Sequence, residues 1–291
     1  MDLRRKVSIT IRYSDYFHYP LNPEEIWYWL VSSRPVSFGQ IKKYLPRALS
    51  PAQKKLKSKV SVTSAQKLSH ARKLVRILKY VPGVRLIAIT GSVAAGNSYP
   101  EDDIDLLFIT GPHSLWLVRP VILFLISLFF RRRHPGEDHS KATNAFCPNL
   151  WLDTLAISMP NSKRNLYTAH EVLQIIPLVD KRDTYRQFLI NNSWAKKYLA
   201  NAYASLSLKE YSPDHRIHPF GLQPSLFVRF FIFPLNYLFY IFQLIYMFPK
   251  KTTETVNLHS AFLHTTDFKT KINRFIAHPL PKKGYNRQSY G

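Results

Sequence analysis

Two acidic residues and a glycine-serine pair stand close together in residues 87–110, IAITGSVAAGNSYPEDDIDLLFIT. Asp103 and Asp105 open an apolar stretch, 103–110, that predicts a β-strand, and residues two apart on a strand point to the same side. Two carboxylates that converge on one point repel each other unless a cation or a proton lies between them. Mg²⁺ is the cation we expect, because it prefers oxygen ligands and usually binds together with phosphates.

Gly91 and Ser92 directly follow another predicted strand, residues 84–90. Glycine lets the backbone approach a ligand closely, and serine adds a hydroxyl and an N–H at the same place. A helix that began here would point its N-terminal amides at the ligand, which favours a phosphate group. Gly96 permits a tight exit from the loop, and with Asn97 it completes the predicted phosphate-binding loop.

The pattern indicates transfer of a nucleotidyl group. A nucleoside triphosphate is expected to bind with its β- and γ-phosphates against Gly91 and Ser92, while two Mg²⁺ ions join it to Asp103 and Asp105. One ion stabilises the pyrophosphate leaving group. The other lowers the pKa of an acceptor hydroxyl, which attacks the α-phosphate in line.

The second ion commonly needs a third carboxylate from a neighbouring strand. Asp153 is the candidate, because a third predicted strand within 145–158 would place Asn149, Trp151 and Asp153 on one face. The predicted catalytic and metal-binding residues are therefore Asp103, Asp105 and Asp153, with Glu137 and Asp138 as alternatives to the third.

The arrangement resembles the DNA polymerase β-like nucleotidyltransferase superfamily, in which Gly-Ser follows one strand and Asp-x-Asp begins the next. The resemblance implies that the chain transfers a nucleoside monophosphate to a hydroxyl acceptor and releases pyrophosphate. Many small bacterial relatives carry arginine in the Gly-Ser loop, where this chain has Val93 and Ala95. We therefore expect phosphate contacts from Arg119, or from Arg131 to Arg133.

Most of the chain is similar to uncharacterised bacterial proteins that carry this domain. The shared features are Tyr19-Pro20-Leu21 and the segment from Leu166 to His170. This likeness implies no substrate. His170 and Glu171 are expected either to line the cleft or to pack a helix.

The predicted fold class is α+β, with a small mixed-sheet nucleotidyltransferase core. Residues 1–50 predict a helical module of helix-turn-helix or winged-helix type, with a plain helical cap as the alternative. Residues 51–160 hold the core behind a basic amphipathic helix, and a helix with a break at Arg119-Pro120 is expected within 114–130. Residues 161–291 predict a helical region with a basic tail.

The net charge of +23 favours partners that are polyanions, such as nucleic acid, nucleoside triphosphates or an anionic membrane. Because the basic residues concentrate in the N-terminal third, an RNA or protein acceptor is favoured over a small molecule. The competing hypothesis is a nucleic-acid-binding regulator with a degenerate transferase domain. Cys147 is the only cysteine, which excludes an intramolecular disulfide. With no secretory signal evident, we expect a cytoplasmic protein.

Residues 226–248 form the most hydrophobic stretch of the sequence. The stretch is long enough to span a membrane, but it contains polar residues and a proline (Arg229, Pro234, Asn236 and Gln243). A buried core helix is therefore expected. A membrane span and a peripheral membrane contact through an aromatic, basic face are the alternatives.

Overall fold

The structure is a computed structural model that describes residues 2–134, 137, 142–208, 228–247, 254–263 and 268–277. The helices are α1 (Leu3–Tyr16), α2 (Pro23–Tyr28), α3 (Phe38–Ile41), α4 (Pro51–Leu78), α5 (Gly91–Ala94), α6 (Leu115–Phe129), α7 (Leu166–Leu173), α8 (Thr184–Asn191), α9 (Ala200–Leu208), α10 (Phe233–Met247) and α11 (Phe268–Ala277). The strands are β1 (Val84–Ile89), β2 (Ile104–Thr110), β3 (Phe146–Asp153), β4 (Ile176–Asp180), β5 (Thr255–Asn257) and β6 (Ser260–Phe262).

The six strands form one mixed sheet in the order β4-β1-β2-β3-β6-β5. Only β2 and β3 pair in parallel, and α6 makes the crossover that parallel neighbours require. Helices cover both faces: α4, α6 and α10 pack on one, and α7, α8 and α9 pack on the other. A mixed sheet with helices is therefore confirmed, and the three predicted strands correspond to β1, β2 and β3.

The expectation that 161–291 is helical is wrong in part, because this region supplies β4, β5 and β6. β4 adds to the free edge of β1, and β6 pairs with β3. Pro177 lies inside β4, where an edge strand tolerates a residue without an N–H. Strands β4 and β6 are each stabilised by a partner strand that is distant in the sequence, so their own residues did not predict a strand.

The N-terminal helices pack around a small core of their own that includes Val7, Ile26 and Ile41. Asn22 caps α2 in a capping box with Glu25. Asn201 of α9 accepts the Val36 N–H at 2.8 Å, which ties this group of helices to the main body. A helix-turn-helix function for residues 1–50 stays a prediction.

Helix α6 is continuous through Pro120, although a break is expected there. Proline lacks an N–H, so the carbonyl of Trp116 loses its partner within the helix. Gln243 of α10 donates to that carbonyl at 2.7 Å, and the Trp116 N–H donates to Asn236 of α10 at 2.8 Å. Two polar side chains of α10 thus satisfy backbone groups that α6 cannot satisfy itself.

The prediction of a buried core helix for 226–248 is wrong. A π-helical turn (Val228–Ile232) leads into α10, and within Phe230–Met247 only 6% of the residues are buried. This stretch is long and apolar enough to cross a membrane. Its inner side packs on α6, and its outer side is exposed.

Candidate active site

A cavity of about 1340 Å³ opens at the sheet edge where β1 ends and where β2 and β3 begin. Helix α1 and helix α7 close it on one side, and residues of α6 line the other. Of the residues predicted to bind phosphate or metal, the cavity wall contains Gly91, Ser92, Asn97, Asp103, Asp105 and Arg119. The structure thus brings together most of the residues that the sequence singles out.

Gly91 lies directly against one of the two acidic side chains. Its φ is 64°, in the left-handed region that favours glycine. A Cβ atom at this position would collide with Oδ2 of Asp105. The Thr90 N–H also donates to the Asp105 carbonyl at 3.1 Å, which fixes the loop to β2. Close approach between loop and carboxylate therefore requires glycine at position 91.

Asp103, Asp105 and Cys147 form a compact cluster whose ligand atoms all lie within 4.8 Å of one another. Cys147 belongs to it because β2 and β3 pair in parallel with Asp105 opposite Cys147. Burial, with a smaller contribution from the two carboxylates, raises the pKa of the Cys147 thiol well above its usual value. The cluster offers the carboxylate oxygens of two aspartates and one sulfur atom.

Asn149 stands beside this cluster on β3. Its amide nitrogen donates to Oδ1 of Asp105. Its buried Oδ1 has no hydrogen-bond partner among the described residues. An amide oxygen that accepts no hydrogen bond and stands beside this carboxylate cluster is a suitable third oxygen ligand for a hard cation. The residues present therefore fit Mg²⁺ better than a soft metal such as zinc.

The charges around the pair are unbalanced. Burial raises the pKa of Asp105 well above its ordinary value, and Asp103 and Glu171 raise it further. Arg133 partly offsets this, because its guanidinium lies 2.7 Å from Oδ2 of Asp103. A cation bound between the two carboxylates would relieve the remaining repulsion.

Lys67 of α4 is a site residue that the sequence analysis missed. It is almost fully buried and donates to the carbonyls of Tyr99 (2.6 Å) and Asp102, the loop that leads into Asp103. A signal exists, because Lys67 interrupts an otherwise apolar stripe that includes Val60, Ala71 and Leu74 at helical spacing. A lysine on the buried face of a helix needs an internal partner.

His170 and Glu171 line the cavity from α7, one of the two roles expected for them. Glu171 accepts a hydrogen bond from Thr90 Oγ1 at 2.9 Å, and burial raises its pKa to about 6. His170 stacks on Tyr13 with ring centres 4.1 Å apart, and burial lowers its pKa to about 3. The neutral imidazole and Tyr13 thus form an aromatic wall beside a third carboxylate.

The remaining predicted phosphate-binding residues have structural partners. Gly96 does not line the cavity but turns the chain with a φ of 70°. Asn97 donates to the Phe17 carbonyl at 2.8 Å. Arg119 donates to Gln243 at 2.8 Å, and burial lowers its pKa to about 10. Of the arginines, Arg133 approaches the acidic pair most directly.

Asp153 is not brought to the acidic pair. It ends β3 opposite Thr110, whereas Asp105 lies opposite Cys147, six residues earlier on the strand. At about 3.3 Å per residue this separates the two carboxylates by roughly 20 Å. Of the alternatives, Glu137 pairs with Arg131, and Asp138 lies outside the described residues.

No protein-family model matches the chain, and no curated protein matches it. Among solved structures, a chain from "Crystal structure of the toxin-antitoxin with AMP-PNP" aligns with 49% of this chain and 88% of its own length. The identity is 14% and the TM-score is 0.24. A likeness of that size supports no conclusion about fold or function. The geometry of the site is therefore the basis for the proposed function.

Proposed function

We propose that the protein is a metal-dependent nucleotidyltransferase, which moves a nucleoside monophosphate from a nucleoside triphosphate to a hydroxyl acceptor. The observation that supports this most strongly is the contact between Gly91 and Asp105, with Asp103 beside them at the edge of a large cavity. In this proposal, the contact joins the predicted phosphate-binding loop to the predicted cation site.

Asp103 and Asp105, with the amide oxygen of Asn149, would hold Mg²⁺ in this proposal. The ion supplies charge neutralisation at the phosphates and lowers the pKa of the acceptor hydroxyl. Gly91 and Ser92 bind and orient the triphosphate through their backbone. Arg133 stands close enough to turn from Asp103 to a phosphate oxygen when a nucleotide binds.

The reaction balances without an oxidant or reductant. The bond between the acceptor oxygen and the α-phosphorus forms, and the bond from that phosphorus to the bridging oxygen of the β-phosphate breaks. Pyrophosphate leaves, and the hydroxyl proton passes to a carboxylate of the cleft. Glu171, with a pKa of about 6, is mostly ionised at neutral pH and is a suitable acceptor for that proton.

The cavity is larger than the 300–1,000 Å³ typical of a small-molecule site, which leaves room for part of a second substrate. We favour RNA or a protein as the acceptor. Exposed lysines in the first half of α4 (Lys54, Lys55 and Lys59) provide a basic surface for a polymer with negative charge.

The test is Mg²⁺-dependent transfer of label from each α-labelled nucleoside triphosphate to a cell extract. We expect label with the wild type and none with the double variant Asp103→Asn, Asp105→Asn. Glu101→Gln is the matched control, because it removes an exposed carboxylate from the same loop. Sensitivity of the product to nuclease or protease identifies the acceptor class.

The second candidate is a nucleotide-binding regulator without turnover, and one observation favours it. The β3 side chain that hydrogen-bonds to Asp105 is the amide of Asn149 and not a carboxylate, and Asp153 is remote. A folded protein that binds a nucleoside triphosphate but transfers no label would replace our proposal with this one.

A further inference from the structure

Helices α6 and α10 expose a broad apolar surface beside the cavity. On α10, Leu235, Leu238, Phe242 and Ile245 follow each other at spacings of three and four residues, so they share one outward stripe. Val121, Phe124 and Leu128 form a similar stripe on α6, and Phe124 is 64% exposed. A soluble monomer rarely exposes so many large apolar side chains together.

The polar side chains of α10 point the other way. Asn236 is fully buried and, with Gln243, hydrogen-bonds to the backbone of Trp116 in α6. Gln243 also accepts from Arg119. Among the described residues, Asn236 Nδ2 has no hydrogen-bond partner. The described outer face of α10 is nevertheless apolar and aromatic, because both amide side chains are turned inward against α6. A helix face in contact with lipid must meet this condition.

Basic residues flank this surface. Helix α4 packs on the same face of the sheet as α6 and α10, and in its second half Ala71, Leu74 and Leu78 face inward. Arg72, Lys73 and Arg76 are exposed on the opposite side of that helix. The outward side of this helical layer is thus basic over α4 and apolar over α6 and α10.

We propose that this layer docks on an anionic lipid bilayer, with α10 and α6 lying in the plane of the interface. The combination of an apolar aromatic stripe and flanking basic residues is what such binding requires, and each lysine or arginine near an anionic surface strengthens it. A second copy of the chain fits less well, because each copy carries a net charge of +23 and would bring its own basic flank.

An in-plane orientation follows from the packing. Helix α10 is bound along its inner side to α6, and α6 rests on the sheet. Insertion of α10 across the bilayer would carry α6, with the buried Arg119, into hydrocarbon. Docking along the helix axes buries only the outward stripes.

The experiment is flotation of the full-length chain with vesicles of phosphatidylcholine, with and without phosphatidylglycerol. We expect the wild type to float with the anionic vesicles. The double variant Leu238→Glu, Phe242→Glu is expected to bind these vesicles at least about tenfold more weakly. The matched control is Leu155→Glu, Ile190→Glu, which places the same two charges at exposed apolar positions outside α4, α6 and α10 and is expected to float like the wild type. Circular dichroism checks that both variants fold.

Three results would overturn the proposal. The first is a wild type that does not float, and the second is equal flotation of both double variants. The third is self-association in light scattering that Leu238→Glu, Phe242→Glu abolishes, without vesicle binding, which would assign the surface to a second copy. Resistance of the bound protein to alkaline carbonate would refute the in-plane orientation. Flotation needs no nucleotide, so its outcome is independent of the proposed catalysis.

Discussion

The two ends of the parallel pair β2–β3 both carry buried or partly buried aspartates, but their surroundings differ. At the start of the strands, Asp103 and Asp105 lie beside each other at an open cavity. Burial and the repulsion between them raise the pKa of Asp105. At the end of β3, Asp153 is fully buried. It accepts hydrogen bonds of 2.9–3.3 Å from three backbone N–H groups and lies 2.7 Å from Nδ1 of His259.

This difference separates a structural carboxylate from a candidate functional one. Both carboxylate oxygens of Asp153 accept hydrogen bonds. Burial raises the pKa of Asp153, whereas His259 and the backbone donors lower it. Asp105 accepts a hydrogen bond from Asn149, and three neighbouring acids (Asp103, Glu171 and Asp102) raise its pKa. A carboxylate that the fold leaves short of positive charge is one that a cation can stabilise.

Among changes outside the acidic pair itself, the largest effect is expected from Gly91→Ala. Residue 91 has a φ of 64°, and a Cβ atom there would collide with Asp105 Oδ2. The loop would therefore have to move away from the acidic pair. We expect nucleotidyl transfer to fall about a hundredfold, or 2.7 kcal/mol of activation free energy. Gly39→Ala is the control, since nothing lies within 4 Å of its added Cβ. Equal rates for both variants would contradict the role of the contact.

Asp153→Asn is expected to lower the free energy of unfolding by about 2 kcal/mol. The amide nitrogen would face groups that now donate to the carboxylate, so donors are left unpaired. Urea unfolding at neutral pH measures the change, with Glu101→Gln as the exposed control. A variant as stable as wild type would show that the hydrogen bonds around Asp153 contribute little.

Glu171→Gln should change how stability depends on pH. The folded protein holds this proton more tightly than the unfolded chain, because burial raises the pKa from 4.5 to about 6. The associated stability is complete below pH 4.5 and is lost as pH rises through 6. The loss is about 2 kcal/mol at most. Urea unfolding from pH 4 to 8 should show a smaller loss of unfolding free energy for the variant than for the wild type. Parallel curves of unfolding free energy against pH for the two proteins would exclude this effect.

The smallest effect concerns Arg133, which competes with a cation for Asp103. Arg133→Gln is expected to tighten binding of Mn²⁺, a reporter for Mg²⁺, by about tenfold, or 1.4 kcal/mol. Titration of free Mn²⁺ by electron paramagnetic resonance measures this. Arg132→Gln makes the same charge change without loss of that ion pair and should have less effect. Weaker Mn²⁺ binding by the Arg133 variant would count against the cation site.

The sequence predicted the part of the site that is local in the chain. Gly91, Ser92, Asp103 and Asp105 lie on β1, β2 and the loop between them, and antiparallel neighbours bring their ends together. Period-two spacing set the direction of the two aspartates.

The part supplied by distant elements could not be predicted in the same way. Spacing on β3 predicted that Asn149 and Asp153 share a face, but the register of β2 and β3 shifts between Pro148 and Leu150, and Asn149 hydrogen-bonds to Asp105. Arg133, one of the arginines expected to contact phosphate, lies in the loop after α6, but its ion pair with Asp103 had no signal in the spacing. Lys67 of α4 holds the loop that leads into Asp103. Hydrophobicity alone also did not distinguish an exposed α10 from a buried one.

The most direct measurement compares Asp105→Asn with Asp153→Asn in transfer of α-label, with each rate expressed per folded molecule. We predict that Asp105→Asn folds but transfers about a thousandfold more slowly, because about 4 kcal/mol of transition-state stabilisation is lost. The folded fraction of Asp153→Asn should transfer at the wild-type rate. Full activity of Asp105→Asn, or a folded but inactive Asp153→Asn, would contradict the assignment of catalysis to the open end of the strands.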